Sequence, residues 1–146
     1  MEQVLIVVAA AIVDEGRLLL VSKAAAPDVY YLPGGKLEEG EDAIAALVRE
    51  LAEELGVAPR LLRPFTEVTE VAALERVPMR MTVFLADIEG VPLARNEIAD
   101  LAWLDPAETF RGAIAPAVEK HVVPRLQERG LLKIGPATLG DTFETL

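Results

Sequence analysis

Glu50, Glu53 and Glu54 stand close together in an otherwise apolar stretch, and a constellation of this kind is where chemistry in the chain has to begin. On a helical wheel of about 100° per residue they fall within roughly 100° of arc, so three carboxylates share one flank. Like charges at i,i+3 and i,i+4 repel, and the arrangement costs stability unless something cationic sits among them. Hard oxygen donors suit Mg²⁺ or Mn²⁺, and magnesium is commonly held by a few carboxylates plus substrate phosphates. Upstream, Pro33-Gly34-Gly35 and Gly40 supply a stretch without bulky side chains, where backbone groups can approach an ion or an anion closely. The segment therefore reads as a metal and diphosphate site, against the blander alternative of a solvated acidic helix face.

The element that carries these carboxylates is a helix expected from about Glu41 to Leu55. Ile44, Leu47, Val48, Leu51 and Leu55 recur at i, i+3, i+4, i+7 and i+11, one buried stripe. The three glutamates centre about 120° away from that stripe, on a flank expected to be exposed. Gly56 is placed to cap the helix, and Pro59 stops it from running on. Before it, Val4 to Val13 is a continuous apolar run, too short to cross a bilayer and with no Lys or Arg ahead of it as a leader would have. It reads as a buried strand, paired through the turn Asp14-Glu15-Gly16 with Arg17 to Ser22. A loop over Ala24 to Asp28 and a short strand, Val29 to Leu32, then deliver the chain to the glycines.

After the helix, Leu61 to Ala72 is expected to be extended, with Pro64 at an edge or bulge. Val77 to Ile88 is apolar on both faces and reads as a central strand. Gly90 to Ile98 reads as a loop and Leu101 to Leu104 as a short strand. Asp105-Pro106-Ala107-Glu108 has the pattern of a helix start. A last helix is expected from about Pro116 to Glu128, kinked or split at Pro124. Residues 131–146 carry no clear pattern. These elements alone argue for a mixed α/β domain.

The segment Gly35 to Val57 resembles the Nudix box, G-x5-E-x7-R-E-U-x-E-E-x-G-U with U aliphatic, at every specified position: Gly35, Glu41, Arg49, Glu50, Leu51, Glu53, Glu54, Gly56 and Val57. The resemblance implies a Nudix-type α/β/α sandwich with a mixed central sheet. It implies divalent-metal-dependent hydrolysis of a diphosphate linkage in a nucleoside diphosphate derivative, by attack of water on phosphorus. It further implies Glu50, Glu53 and Glu54 as metal ligands, with the backbone carbonyl of Gly35 adding another, and Mg²⁺ or Mn²⁺ as the ion. Glu41 would orient the loop near the helix start, and Arg49 would hold a box carboxylate in position. The proton acceptor stays open among Glu50, Glu53 and a residue outside the box. Glu97, six residues before Trp103, is the outside candidate, against a plain solvated loop acid.

Departures from subfamily marks narrow the substrate. Ala72, Ala73 and Leu74 occupy the region where relatives acting on ADP-ribose tend to carry a proline, and diadenosine polyphosphate hydrolases a tyrosine slightly farther on. What remains is a compact enzyme on an NTP, a dNTP or a similar small nucleotide. The alternative is a catalytically idle nucleotide-binding regulatory module, which would usually have lost box carboxylates, and none is lost here. Tyr30 stands where many relatives have tryptophan and reads as packing under the loop rather than stacking on a base. Trp103 reads as core, His121 as a partly exposed helix residue, and Arg80 and Lys23 as phosphate counter-charges or surface ion pairs.

Composition sets the remaining limits. With 146 residues, 52% of them apolar, the chain is expected to form one domain, 1–146, with a genuine core. The formal net charge of −10, half of it from the box, argues against extended nucleic-acid contacts and against an anionic membrane surface. There is no cysteine, so thiol chemistry and disulfides are excluded, in keeping with an expected cytoplasmic location. A homodimer is expected from family habit alone.

Overall fold

Alternation along two strands divides the interior. In β1 (Leu5–Ala11), Val8 and Ala10 point into one apolar cluster and Ala9 and Ala11 into another; in β3 (Arg17–Lys23), Leu19 and Val21 separate from Leu18 and Leu20 in the same way. Strands apolar on both faces need cover on both. One face is covered by α1 (Ala43–Leu55) through Leu47, Leu51 and Leu55. The other is covered by a π-helical segment, Ala117–Val122, and α2 (Val123–Glu128), through Val118, Val122 and Leu126. The computed structural model describes residues 3–134, and within them the chain is the expected α/β/α sandwich.

The strands form two sheets. In the first, β5 (Gly34–Lys36), β1, β7 (Pro78–Glu89) and β6 (Ala58–Val71) lie side by side in that order. β1 runs parallel to β7, with Leu5 opposite Met79 and Ala11 opposite Leu85, while the outer pairs are antiparallel. In the second, β2 (Val13–Asp14), β3, β4 (Ala26–Tyr31) and β9 (Ala113–Ile114) follow in order, and β8 (Ile98–Leu104) pairs with β3. The mixed character is thus real. β7 is central as expected, and β6 is an edge strand whose register shifts between Pro64 and Thr66, where proline removes a ladder donor.

Several expectations need correction. The run Val4 to Val13 is not one strand: β1 ends at Ala11, and the hairpin through Glu15 and Gly16 joins only β2 to β3. Both turn residues have positive φ, 51° and 75°, the twist a two-residue hairpin requires. The loop expected over Ala24 to Asp28 is mostly strand, because β4 already begins at Ala26. Asp105 starts no helix. Its carboxylate accepts from the Ala107 N–H at 2.9 Å and its carbonyl from the Glu108 N–H at 2.9 Å, and the single turn ends there before the chain enters β9. At the C-terminal helix the split at Pro124 takes a particular form. The wide π-turns end at Val122 and ordinary α-turns follow; the Val123 N–H still closes a π-turn onto the Val118 carbonyl, and Pro124, which has no N–H to give, stands where the turn type changes. Residues 135–146 of the C-terminal tail lie outside the described residues.

Candidate active site

The helix that presents the carboxylates starts at Asp42, whose side chain accepts from the Ala45 N–H at 2.8 Å, and ends at Gly56 in the left-handed conformation, φ 67°. Its buried stripe is Ala46, Leu47, Leu51, Glu54 and Leu55; Ile44 and Val48, expected inside, are 50% and 41% exposed. The helix is rolled relative to the apolar stripe read from sequence, and the roll has a chemical consequence. Glu54, expected on an exposed flank, is 1% exposed.

A buried carboxylate must be hydrogen-bonded or paired to be tolerated. Glu54 accepts from the Gly34 N–H at 3.1 Å, and the glycine loop is shaped to make that approach. A side chain at Gly34, φ 147°, would strike the Val8 carbonyl, and a Cβ at Gly35 would collide with the Glu50 carboxylate. Glu54 makes no ion pair among the described residues, and burial, reinforced by Glu50 and Glu97 and opposed by Gly34 and Lys23, pushes its carboxyl up to about 8. Glu50 is raised too, chiefly by burial, while Arg49 pulls the other way. One carboxylate oxygen from each of Glu50, Glu54 and Glu97 lies within 4.8 Å of the other two. Such a group of hard donors with one member buried and unpaired fits a divalent cation, and the bare Gly35 backbone leaves its carbonyl room to join.

Glu53 lies outside that group. It turns instead toward Arg49, whose Nη1 donates to it at 3.1 Å. Arg49 is the hub of a second carboxylate set: Nε and Nη2 donate to the two oxygens of Glu41 at 2.6 and 2.8 Å, Nη1 reaches Glu50 at 3.3 Å, and Nη2 also donates to the Lys36 carbonyl at 3.2 Å. Glu41 in turn accepts from the Glu38 N–H at 2.8 Å, so it ties the loop to the helix. The Arg49 hydrogen bonds, with that backbone N–H, lower the Glu41 carboxyl to about 2, and the same contacts raise the guanidinium further above its already high range. Glu50 is the one residue that belongs to both sets.

Beside the carboxylates, between the two sheets, opens a cleft of about 280 Å³. Val7, Leu32, Leu74, Met79 and Met81 give it an apolar wall, and Lys23 and Tyr31 stand on its side nearest Glu54 and Glu97. Lys23 lies 5.7 Å over the Tyr31 ring. The Tyr31 hydroxyl is buried without a protein partner among the described residues, and burial, with Glu54, Glu75 and Glu97 adding to it, pushes it up to about 12. Sequence reasoning weighed its neighbour Tyr30 and missed Tyr31. Strand alternation held the signal, since Tyr30 faces inward, donating to Asp100 at 2.6 Å and meeting Phe110 edge-on, which turns Tyr31 toward the cleft. Trp103 packs partly buried against the cluster under α1. Arg80 lies exposed on β7, and the half-buried His121 meets Glu70 at 3.3 Å.

An α/β/α sandwich with a glycine loop feeding a glutamate-rich helix has the architecture of a hydrolase family that comparison with known proteins identifies. The model of the NUDIX domain matches residues 3–126. A Mycobacterium tuberculosis protein (strain H37Rv), provisionally named 8-oxo-dGTP diphosphatase 2, is 38% identical over 106 residues, 70% of this chain and 74% of the relative. The CTP pyrophosphohydrolase of Escherichia coli (strain K12) is 34% identical over 119 residues, 76% of this chain and 83% of the relative. Among solved structures, a MutT NUDIX hydrolase from Burkholderia pseudomallei superposes with a TM-score of 0.70 at 27% identity, covering 86% of this chain and 98% of that one. The chain belongs to the Nudix family. It is a Nudix pyrophosphohydrolase, acting on phosphorus-containing acid anhydrides. Among the described residues no helix is long and apolar enough to cross a membrane.

Proposed function

We propose that the linkage this chain hydrolyses is the diphosphate of a small nucleotide, an NTP or dNTP, with water as the nucleophile and Mg²⁺ or Mn²⁺ bound at Glu50, Glu54 and Glu97, in the cytoplasm. The observation that carries the reading is the buried, unpaired Glu54 beside two further carboxylates. A divalent ion there, when bound, would neutralise phosphate charge and make water a better nucleophile. The residues of the chain do the rest. Glu50 and Glu54 hold the ionic site from the helix, the bare Gly35 backbone packs against the Glu50 carboxylate and would offer its carbonyl from the loop, and Arg49 contacts both Glu50 and Glu53. Lys23 stands near enough to Glu54 to lower its pKa and meets the phosphates. The apolar wall of Val7, Leu74, Met79 and Met81 takes the base, excluding water from one side of the anhydride. The two relatives named above carry the names of a dGTP analogue and of CTP, both triphosphates, which supports the same class.

The test is pyrophosphate and phosphate release from a panel of NTPs, dNTPs, 8-oxo-dGTP, ADP-ribose and dinucleotides, with Mg²⁺, with Mn²⁺ and with chelator. Metal-dependent release of pyrophosphate from triphosphates, lost in Glu54→Gln, is the expected result. Turnover undiminished by chelator would sink the metal assignment, and turnover confined to ADP-ribose or dinucleotides would sink the substrate class.

A further inference from the structure

We infer that Asn96 is a positioning residue for Glu97, locking the loop that carries this glutamate onto the carbonyl end of α1. The inference rests on the reading that Glu97 belongs to the cation site. The last turn of any helix leaves carbonyls without helical donors. Here Gly56 and Val57 serve Ala52 and Leu51, and the next three carbonyls are all taken by one distant loop. The Asn96 side chain donates to Glu53 O at 2.7 Å, the Arg95 N–H to Glu54 O at 3.0 Å, and the Leu93 N–H to Leu55 O at 3.1 Å. Two of these donors are backbone. Asn96 supplies the one side chain, aimed at the backbone carbonyl of Glu53, the residue before Glu54.

Its backbone is equally specific. Asn96 has φ 53°, a conformation that asparagine tolerates and most residues resist. The Ile98 N–H closes the turn onto Arg95 O at 3.0 Å, and the Ala24 N–H takes Glu97 O at 2.9 Å. Glu97 is therefore held between the end of β3 on one side and the end of α1 on the other. A glutamate on a free loop would lose conformational entropy each time it joined Glu50 and Glu54 around an ion. With the loop already docked, that loss is taken on folding, and ion affinity gains.

The experiment measures Mn²⁺ affinity on the full chain by calorimetry and by the paramagnetic resonance signal of free Mn²⁺, in wild type, Asn96→Gly, Glu97→Gln and the double variant. Glycine keeps the left-handed backbone and deletes only the donor. Asn96→Ala, which is strained but stiffer, guards against an effect of glycine flexibility. Asn96→Gly and Asn96→Ala are each expected to weaken Mn²⁺ binding about tenfold, the range in which partners of ligand residues act. In the Glu97→Gln background Asn96→Gly should add less than about twofold, because the residue it positions is gone. Wild-type affinity in both Asn96 variants, with Glu97→Gln impaired, overturns the positioning role and leaves the cation site standing. An equal loss in both backgrounds also overturns it, since Asn96 would then act on something other than Glu97. Unchanged affinity in Glu97→Gln removes Glu97 from the cation site and the inference with it.

Discussion

One helix, α1, faces two groups of glutamates that share a residue type and differ in everything else. Glu41 and Glu53 lie against Arg49 near the loop, each accepting a hydrogen bond from its guanidinium. Glu54 and Glu97, with Glu50 bridging the groups, converge on the cleft, and among the described residues the Arg49 contact on Glu50 is their one ion pair. Hydrogen bonds from Arg49 pull the Glu41 carboxyl down to about 2, whereas burial pushes the Glu54 carboxyl up to about 8. The difference separates carboxylates that are held by a guanidinium from one that is buried without an ion-pair partner among the described residues, a distinction that counting acidic residues could not make.

The largest effect that would break the comparison is expected at Glu54. Glu54→Gln should lower Mg²⁺-dependent turnover by about 100-fold or more, since it deletes a charge the proposed ion needs. In chelator the same variant should melt no lower than wild type, because it also removes repulsion with Glu50. Turnover within about tenfold of wild type would show that Glu54 is not at the chemistry. At Arg49 the order is reversed. Arg49→Ala should lower the melting temperature with or without metal, and reduce turnover by about tenfold through Glu50; equal melting temperatures would show that the network around Glu41 holds nothing in place.

The two groups should also separate by pH, in calorimetric melts of metal-free protein. For Glu54 the folded carboxyl titrates near 8 and the unfolded one near 4.5, so the fold binds the extra proton between them. Stability from this group is present at low pH and declines as pH rises from about 4.5 to about 8, and Mg²⁺ should flatten the decline. For Glu41 the folded value is about 2, so its stabilisation is present above about 4.5 and is lost as pH falls toward 2; half-buried where Glu54 is fully buried, it is screened more by solvent and gives the shallower slope. Glu54→Gln should abolish only the upper window and Glu41→Gln only the lower one. A single window lost in both variants would mean that the groups are one coupled system.

The smallest effect concerns the roll of α1. Ile44→Ser, at a half-exposed site, should change stability by no more than about 0.5 kcal/mol, whereas Leu47→Ala should cost about 2–5 kcal/mol. Urea melts of the two variants would check it, and comparable losses would restore the stripe read from sequence.

That stripe marks where legibility ended. Period and spacing found the helix, its glycine cap and the central strand Pro78–Glu89, because each is fixed by local chemistry: apolar recurrence, a left-handed cap, an apolar run. The box residues were legible as a set. Their division was not, because whether Glu54 points inward and Glu53 outward depends on a roll set by the sheet beneath, and Ala46, small enough to sit against it, carries almost no periodic signal. The break of the first apolar run at Ala11 was hidden for a similar reason, since Ile12 and Val13 continue the pattern while the backbone changes sheets. Glu97 was reached only through the family resemblance, by its place before Trp103, and Asn96 was missed because one polar loop residue looks like any other until a helix end is found opposite it.

The parallel pairing of β1 with β7 also bears on how the protein is made. Gly34 and Gly35 are registered on β1, β1 lies against β7, and Glu97 hangs beyond the end of β7. During synthesis the box helix emerges before the sheet it packs on is complete: the strand that supports its loop gains its long partner only after residue 89 has emerged, and the third carboxylate of the cleft arrives later still. Such pairing between distant parts of a chain is slow to form. A nascent chain ending inside β7 would therefore carry the whole box and yet lack both the full β1–β7 pairing and Glu97, so that the carboxylate cluster is assembled only when nearly all of the sandwich has been translated.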